Sequence, residues 1–295
     1  MMAAAAALDG LRSKRPEWES WLAVIEGILR EAVAPDWDAA VATAAHGTRP
    51  AVPLLAGATV VVDRNSIGRL WKRLVRVASR TGTPKMATLE AALRADIDML
   101  RLFKASLCQE SGNIEELAAT SGAGADAEAL QAVAGLLPVP LLLACNRRWA
   151  SSLPASWVEG FCPVCGAWPA FAEVRGIERS RYFRCARCGG EWHARALHCP
   201  YCDTSDHGQL VALVAENGGS NAAIDACRHC LRYVKALTRL QGCPPDTVMI
   251  EDLGTVDLDV AALDCGYTRP SGAGCPLEIT VTDKGATRRL FGWSS

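Results

Sequence analysis

The sequence predicts an α+β multidomain protein. An all-α N-terminal domain over residues 1–156 precedes two small cysteine-built modules in tandem, over 157–196 and 197–243, and an acidic helix with a tail over 244–295. Three observations predict this. Apolar residues recur at three- and four-residue intervals through the first half, the period of an amphipathic helix. Around SSLPASW (151–157) that period gives way to cysteines, glycines and short β-forming runs. Eight of the thirteen cysteines fall in four Cys-x-x-Cys pairs, all of them in the second half.

The helical pattern is carried by WESWLAVIEGILREAVA (18–34), GRLWKRLVRVASR (68–80), ATLEAALRADIDMLRLFKASL (87–107) and AEALQAVAGLL (127–137). The loops HGTRPAVP and TSGAGADA separate them, rich in the residues that break helices. Leu130 to Cys145 is the longest apolar run, shorter than a bilayer requires and interrupted by Pro138 and Pro140. It is expected to form a buried helix followed by a second one. MMAAAAALDG has no basic leader region, and Asp9 cuts its apolar run short, so no export signal is expected.

The second half repeats. Cys162-Pro-Val-Cys165 leads through AFAEVRG and RYFRC to Cys185-Ala-Arg-Cys188, and Cys199-Pro-Tyr-Cys202 leads through QLVALVA, an NGGSN turn and AAID to Cys227-Arg-His-Cys230. Each unit reads as knuckle, strand, turn, strand, knuckle. From Pro244, VMIEDLGTVDLDVAAL is expected to be one acidic amphipathic helix, and CPLEITVTDKGATRRLFGWSS a loose or β-forming tail.

A tetrahedral ion takes four soft ligands, and one Cys-x-x-Cys turn supplies two. The 19 residues between Cys165 and Cys185 and the 24 between Cys202 and Cys227 are long enough for a hairpin that brings the second knuckle back to the first. The ten residues between Cys188 and Cys199 lack a central turn signal. The expected metal sites are therefore Cys162, Cys165, Cys185 and Cys188, and Cys199, Cys202, Cys227 and Cys230. The prolines in CPVCG and CPYC and the glycines after Cys165 and Cys188 suit a rubredoxin-like or zinc-ribbon knuckle. Four thiolates accept zinc or mononuclear iron, so two mononuclear ions, iron or zinc, are the expected cofactors. Redox dithiols or free thiols are the alternative for a single pair, and four regularly spaced pairs argue against it. His193, His198, His207 and His229 are expected to stay outside shells already filled by sulfur. Cys108 and Cys145 are expected to pack as small hydrophobes.

Other chemistry is not signalled. There is no phosphate-cradling glycine loop and no G-x-S-x-G elbow, and no catalytic residue is assigned. Glu251, Asp252, Asp257 and Asp259 read as a solvated helix face. Arg69, Lys72, Arg73, Arg76 and Arg80 form a basic helical stripe opposite Leu70, Leu74 and Val77, also read as solvated, with an acidic partner as the alternative. The formal net charge is -1, and Val158 to Pro245 hold ten Arg/Lys against eight Asp/Glu, too even a balance for nucleic-acid binding.

The ordered run GFCPVCGAWP, YFRCARCGGEWHARALHCPYC and DACRHCLRYVKAL resembles the FdhE family of formate dehydrogenase accessory proteins. The resemblance covers residues 157 to 240 and takes in all four cysteine pairs, Glu191-Trp192-His193, Arg195 and Tyr233-Val234-Lys235, and Gly266-Tyr267-Thr268-Arg269 resembles the family's closing Gly-Tyr-x-Arg. It implies a helical domain joined to two rubredoxin-like metal modules in a cytoplasmic maturation factor. Such a factor binds the catalytic subunit of a respiratory formate dehydrogenase and is no enzyme itself. A zinc-ribbon nucleic-acid-binding protein and a rubredoxin-like electron carrier are the other functions the ligand pattern allows.

Overall fold

The computed structural model describes residues 2–41, 51–80, 83–121, 124–214 and 221–285. It is a mixed helix and sheet structure. In chain order the helices are α1 (Met2–Lys14), α2 (Glu19–Glu31), α3 (Pro35–Val41), α4 (Arg64–Ala78), the single turns α5 (Pro84–Ala87) and α6 (Leu89–Ala92), α7 (Met99–Cys108), α8 (Ser111–Thr120), α9 (Ala127–Ala134), α10 (Val139–Trp149), α11 (Val248–Gly254) and α12 (Val256–Asp264). The strands are β1 (Thr59–Val62), β2 (Phe171–Arg175), β3 (Ser180–Arg184), β4 (Glu191–His193), β5 (Leu210–Leu213), β6 (Ala222–Cys227), β7 (Arg232–Arg239) and β8 (Thr280–Asp283).

Local chemistry sets several helix boundaries. Asp63, Asp98 and Asp126 each stand in extended backbone ahead of a helix and accept a hydrogen bond from a free N–H of its first turn, which starts α4, α7 and α9. The Asp98 cap also shows why the expected helix over 87–107 is broken. Asp98 accepts from the Leu100 and Arg101 N–H groups, so the chain leaves the helix after Ala92 and starts again at Met99. The apolar run around residues 127–152 is two helices, α9 and α10, parted before Pro138. It is apolar and long enough to cross a membrane by composition, yet 72% of its most apolar window is buried inside the fold.

The first half is not purely helical. TVVV, three β-branched residues after a threonine, forms β1 and pairs in parallel with β8 from the far end of the chain, Thr59 opposite Thr280 and Val62 opposite Asp283. A four-residue strand carries too short a pattern to stand out between helices, and its partner lies more than two hundred residues away.

The cysteine-rich half makes one six-stranded sheet in the order β4-β3-β2-β7-β6-β5. Each knuckle unit is an antiparallel meander, β2-β3-β4 and β5-β6-β7, with a third strand after the second knuckle that the two-strand reading omitted. The last strand of the second unit lies parallel to the first strand of the first, Phe171 opposite Lys235 and Arg175 opposite Arg239. Thus the repeat becomes a single continuous sheet. The NGGSN turn falls largely outside the described residues, as does the chain beyond 285. The expected single acidic helix is α11 and α12, with Thr255 between them capping back onto the Glu251 and Asp252 carbonyls.

A contiguous apolar core runs from the helices to the sulfurs of the first knuckle pair, joining Leu22, Ile28, Leu74, Phe103 and Leu142 to Cys162, Cys165, Cys185 and Cys188. The second unit touches this core through Val234 and Tyr201 and otherwise has small separate clusters, such as Ile224, Ala226, Tyr233 and Ala262.

Candidate metal centres

All four knuckles have one backbone geometry. The residue after the second cysteine donates its N–H to the first cysteine's carbonyl, in the pairs Gly166–Cys162, Gly189–Cys185, Asp203–Cys199 and Leu231–Cys227, at 2.9–3.0 Å. That residue has a positive φ in each case, from 56° to 71°. The turn holds both thiols on its inner side, while β3 and β6 deliver Cys185 and Cys227 from their C-terminal ends.

Two clusters result. The sulfurs of Cys162, Cys165, Cys185 and Cys188 lie within 4.8 Å of one another, as do those of Cys199, Cys202, Cys227 and Cys230. Across the first, Cys162 Sγ stands 3.5 Å from Cys188 Sγ and Cys165 Sγ 3.6 Å from Cys185 Sγ. Across the second, Cys199–Cys230 and Cys202–Cys227 are 3.6 and 3.8 Å. Four thiolates around a zinc ion, with Zn–S near 2.3 Å, have sulfur–sulfur edges of about 3.8 Å. The donor set therefore fits a mononuclear tetrahedral ion at each cluster, and zinc and ferrous iron fit equally.

Electrostatics among the thiols bears on what the clusters can hold. Burial pushes the Cys162 thiol well up, hydrogen bonding among the thiols raises Cys188, and Cys185 is pulled down because the other three thiols donate to it. Holding four buried thiolates at one centre requires a cation. In the second, burial raises Cys199 and pushes Cys230 up to about 11. Cys227 is lowered: burial works against it, and the Cys230 and His229 backbone N–H groups and neighbouring thiols outweigh that.

The four histidines among the described residues stay out of both clusters. His193, His207 and His229 are exposed, and His198 Nδ1 lies 2.9 Å from the Ala196 carbonyl. Cys108 and Cys145 are buried among apolar neighbours, and burial raises both thiols, Cys108 to about 11.

The clusters differ in their surroundings. All four cysteines of the first are fully buried, enclosed by four other parts of the chain. Leu54 and Leu55 donate their N–H groups to the Pro163 and Val164 carbonyls, Cys275 donates to the Gly166 carbonyl, and Pro245 presses on Gly189. Beside the second knuckle, Arg187 donates to the Ser106 and Leu107 carbonyls at the end of α7. A Cβ on Gly166 would stand 2.5 Å from the Cys275 carbonyl oxygen, and one on Gly189 would overlap that of Pro245, so only glycine fits either turn. In the second cluster Cys202 and Cys230 are partly exposed, and Asp203 and exposed Leu231 hold the same left-handed position.

Two ion networks escaped the sequence reading. Glu173, fully buried on β2, accepts from Arg175 Nε (2.9 Å), Arg184 Nη1 (3.1 Å) and the Cys243 N–H (3.0 Å). Lys235, fully buried on β7, contacts Asp252 Oδ1 at 2.7 Å and Asp259 Oδ2 at 2.9 Å, and Arg269 closes onto both carboxylates at 2.7 Å. Tyr233 adds a hydrogen bond to Asp259 at 2.6 Å. Asp252 and Asp259 are therefore not a solvated face. They fasten α11 and α12 to the second unit, and Thr268 ties the same segment to the fourth knuckle by donating to the Leu231 carbonyl. Glu251 pairs with Arg239 and Asp257 with Arg15. The five cations of the basic stripe are exposed on α4 and just beyond it, with Arg73 paired to Glu31 and Arg69 3.9 Å from Asp63.

No family model matches the chain. The solved FdhE protein from Pseudomonas aeruginosa superposes with a TM-score of 0.54 over 91% of this chain and 93% of that one, at 21% identity. The chain has the FdhE fold. FdhE homologues give the sequence likeness: 34% identity over 114 residues to that of Stutzerimonas stutzeri, 34% over 113 to that of Pectobacterium atrosepticum, and 27% over 118 to that of Aquifex aeolicus. These matches take in 38% of this chain and 36%, 36% and 40% of the respective FdhE homologues, so the matched segment is little more than a third of each relative.

Proposed function

We propose that this chain is an accessory factor for a respiratory formate dehydrogenase, acting in the cytoplasm by binding the catalytic subunit and assisting its assembly or activation. The observation that carries the reading is the FdhE fold over nine-tenths of the chain, joined to sequence likeness to FdhE homologues. Cys162, Cys165, Cys185 and Cys188 hold one ion and Cys199, Cys202, Cys227 and Cys230 another, in two rubredoxin-like modules behind a helical domain. The division at 156, 196 and 243 follows the knuckle units. A bound ion would supply thiolate ligation that folds each module and, if iron, a one-electron couple. The chain's own residues do the rest: the knuckle turns orient the thiolates, and the helical half excludes water from the first cluster.

The factor performs no turnover chemistry. Four thiolates close each shell and leave a substrate no coordination position. Deleting the gene is expected to leave the formate dehydrogenase polypeptide present and inactive, with activity restored on complementation. Purified protein should capture the purified catalytic subunit. Normal formate oxidation in the deletion strain, in the absence of a paralogue, would overturn the assignment.

A further inference from the structure

Asn146 lies on α10, outside the cysteine-rich half, with only 6% of its surface exposed, and lines a cavity beside the first cluster with Trp157, Gly189 and Trp192. Its position suggests a role. A Cβ placed on Gly190 would stand 3.0 Å from Cys188 Sγ, 3.3 Å from Asn146 Oδ1 and 3.6 Å from Cys162 Sγ. The carboxamide and two sulfurs of the first cluster therefore look onto the same gap, and glycine at 190 keeps it open.

The first cluster, in turn, needs donors. Four thiolates around one divalent ion carry a net double negative charge, and all four cysteines are fully buried. The Gly190 N–H supplies part of the compensation, reaching Cys188 Sγ at 3.3 Å. We infer that Asn146 is a positioning residue for the first metal centre, its side-chain N–H₂ turned toward Cys188 and Cys162 so that an amide from the helical half hydrogen-bonds to the metal-bound sulfurs. A half-turn about the last side-chain bond exchanges the two ends of a carboxamide at almost no steric cost, so the donor end can face the thiolates. That hydrogen bond offsets part of the excess charge. At the second cluster, backbone N–H groups of His229 and Cys230 reach Cys227. The inference rests on the first cluster holding a metal, as proposed above.

Hydrogen bonds to thiolate sulfur stabilise the more negative, reduced state of an iron centre and raise its potential. The test is a redox titration of the full chain reconstituted anaerobically with iron, followed by thiolate-to-iron(III) absorption, in wild type, Asn146→Leu and Asn146→Asp. The expected result is that half of the iron titrates at a lower potential in Asn146→Leu and lower again in Asn146→Asp, while the other half does not move. Both variants titrating like wild type, or both centres moving together, would overturn the inference. If Asn146→Leu loses its helical circular dichroism, the isosteric Asn146→Asp decides alone by the same readout. Failure of the metal reading looks different: Cys162→Ser would then take up as much iron as wild type.

Discussion

The two four-cysteine clusters are built from one turn repeated four times, yet one is sealed and the other is open. Around the first, segments near residues 54, 146, 245 and 275 converge, and its sulfurs belong to the main apolar core. The second has two partly exposed cysteines and small satellite clusters beside it, and is braced by the ion network of Lys235, Asp252, Asp259 and Arg269. Identical ligand sets in unequal surroundings differ in what metal loss does. Emptying the first removes part of the core; emptying the second loosens one end of a sheet.

Cys162→Ser should therefore have the largest effect. Structural metal binding is worth on the order of 10 kcal/mol in small metal-folded domains, and here that energy feeds the common core, so the melting of the N-terminal helices should fall with it. Cys199→Ser should remove about one metal equivalent and leave the helical melt nearly unchanged, by the four-ligand rule. Equal helical destabilisation by both, followed by circular dichroism, would abolish the distinction.

Asp259→Asn tests the brace. Breaking a buried ion cluster by removing one member costs about 3 kcal/mol, and the loss should appear as faster amide exchange in 248–264 and in β7, not in the helical half. The same network gives a pH dependence. Burial works to raise the Asp259 carboxyl, but Arg269, Tyr233 and Lys235 overcome it and hold it below the ordinary 3.8. A depressed folded value means the stabilisation is complete above the ordinary carboxylate range and is lost as pH falls through the lower value. Acid should thus release α11 and α12 only below about pH 4.

Gly189→Ala should cost about 2–4 kcal/mol, from positive φ and from overlap with the Pro245 carbonyl. At the matching position of the open cluster the sign reverses. Leu231 has φ 56° and is exposed, so Leu231→Gly should stabilise the second unit by about 0.5–1 kcal/mol, measured by thermal melting of the metal-loaded protein. A destabilising Leu231→Gly would mean that the leucine side chain contributes packing there.

The pairing of the knuckles was legible in the residues, because hairpin length decides which knuckles can meet: 19 and 24 intervening residues accommodate paired strands. The glycines after Cys165 and Cys188, against Asp203 and Leu231, even hint at which cluster is crowded, since a turn under close approach tolerates no side chain. What could not be read was non-local. Asp252 and Asp259 look solvated until Lys235 and Arg269 are brought to them across the fold. TVVV looks like part of a loop until β8 arrives beside it. Asn146 sits in an apolar helix with no pattern to mark it, and only the fold places it against Gly190.

The most direct test of the account is metal release from the fully loaded protein into excess thiol-competing chelator, followed by chelate absorbance. Two equivalents per chain should leave in two phases of equal amplitude. The fast phase should vanish in Cys199→Ser and the slow phase in Cys162→Ser. One equivalent in total, a single phase, or loss of both phases from one substitution would contradict two independent centres of unequal exposure.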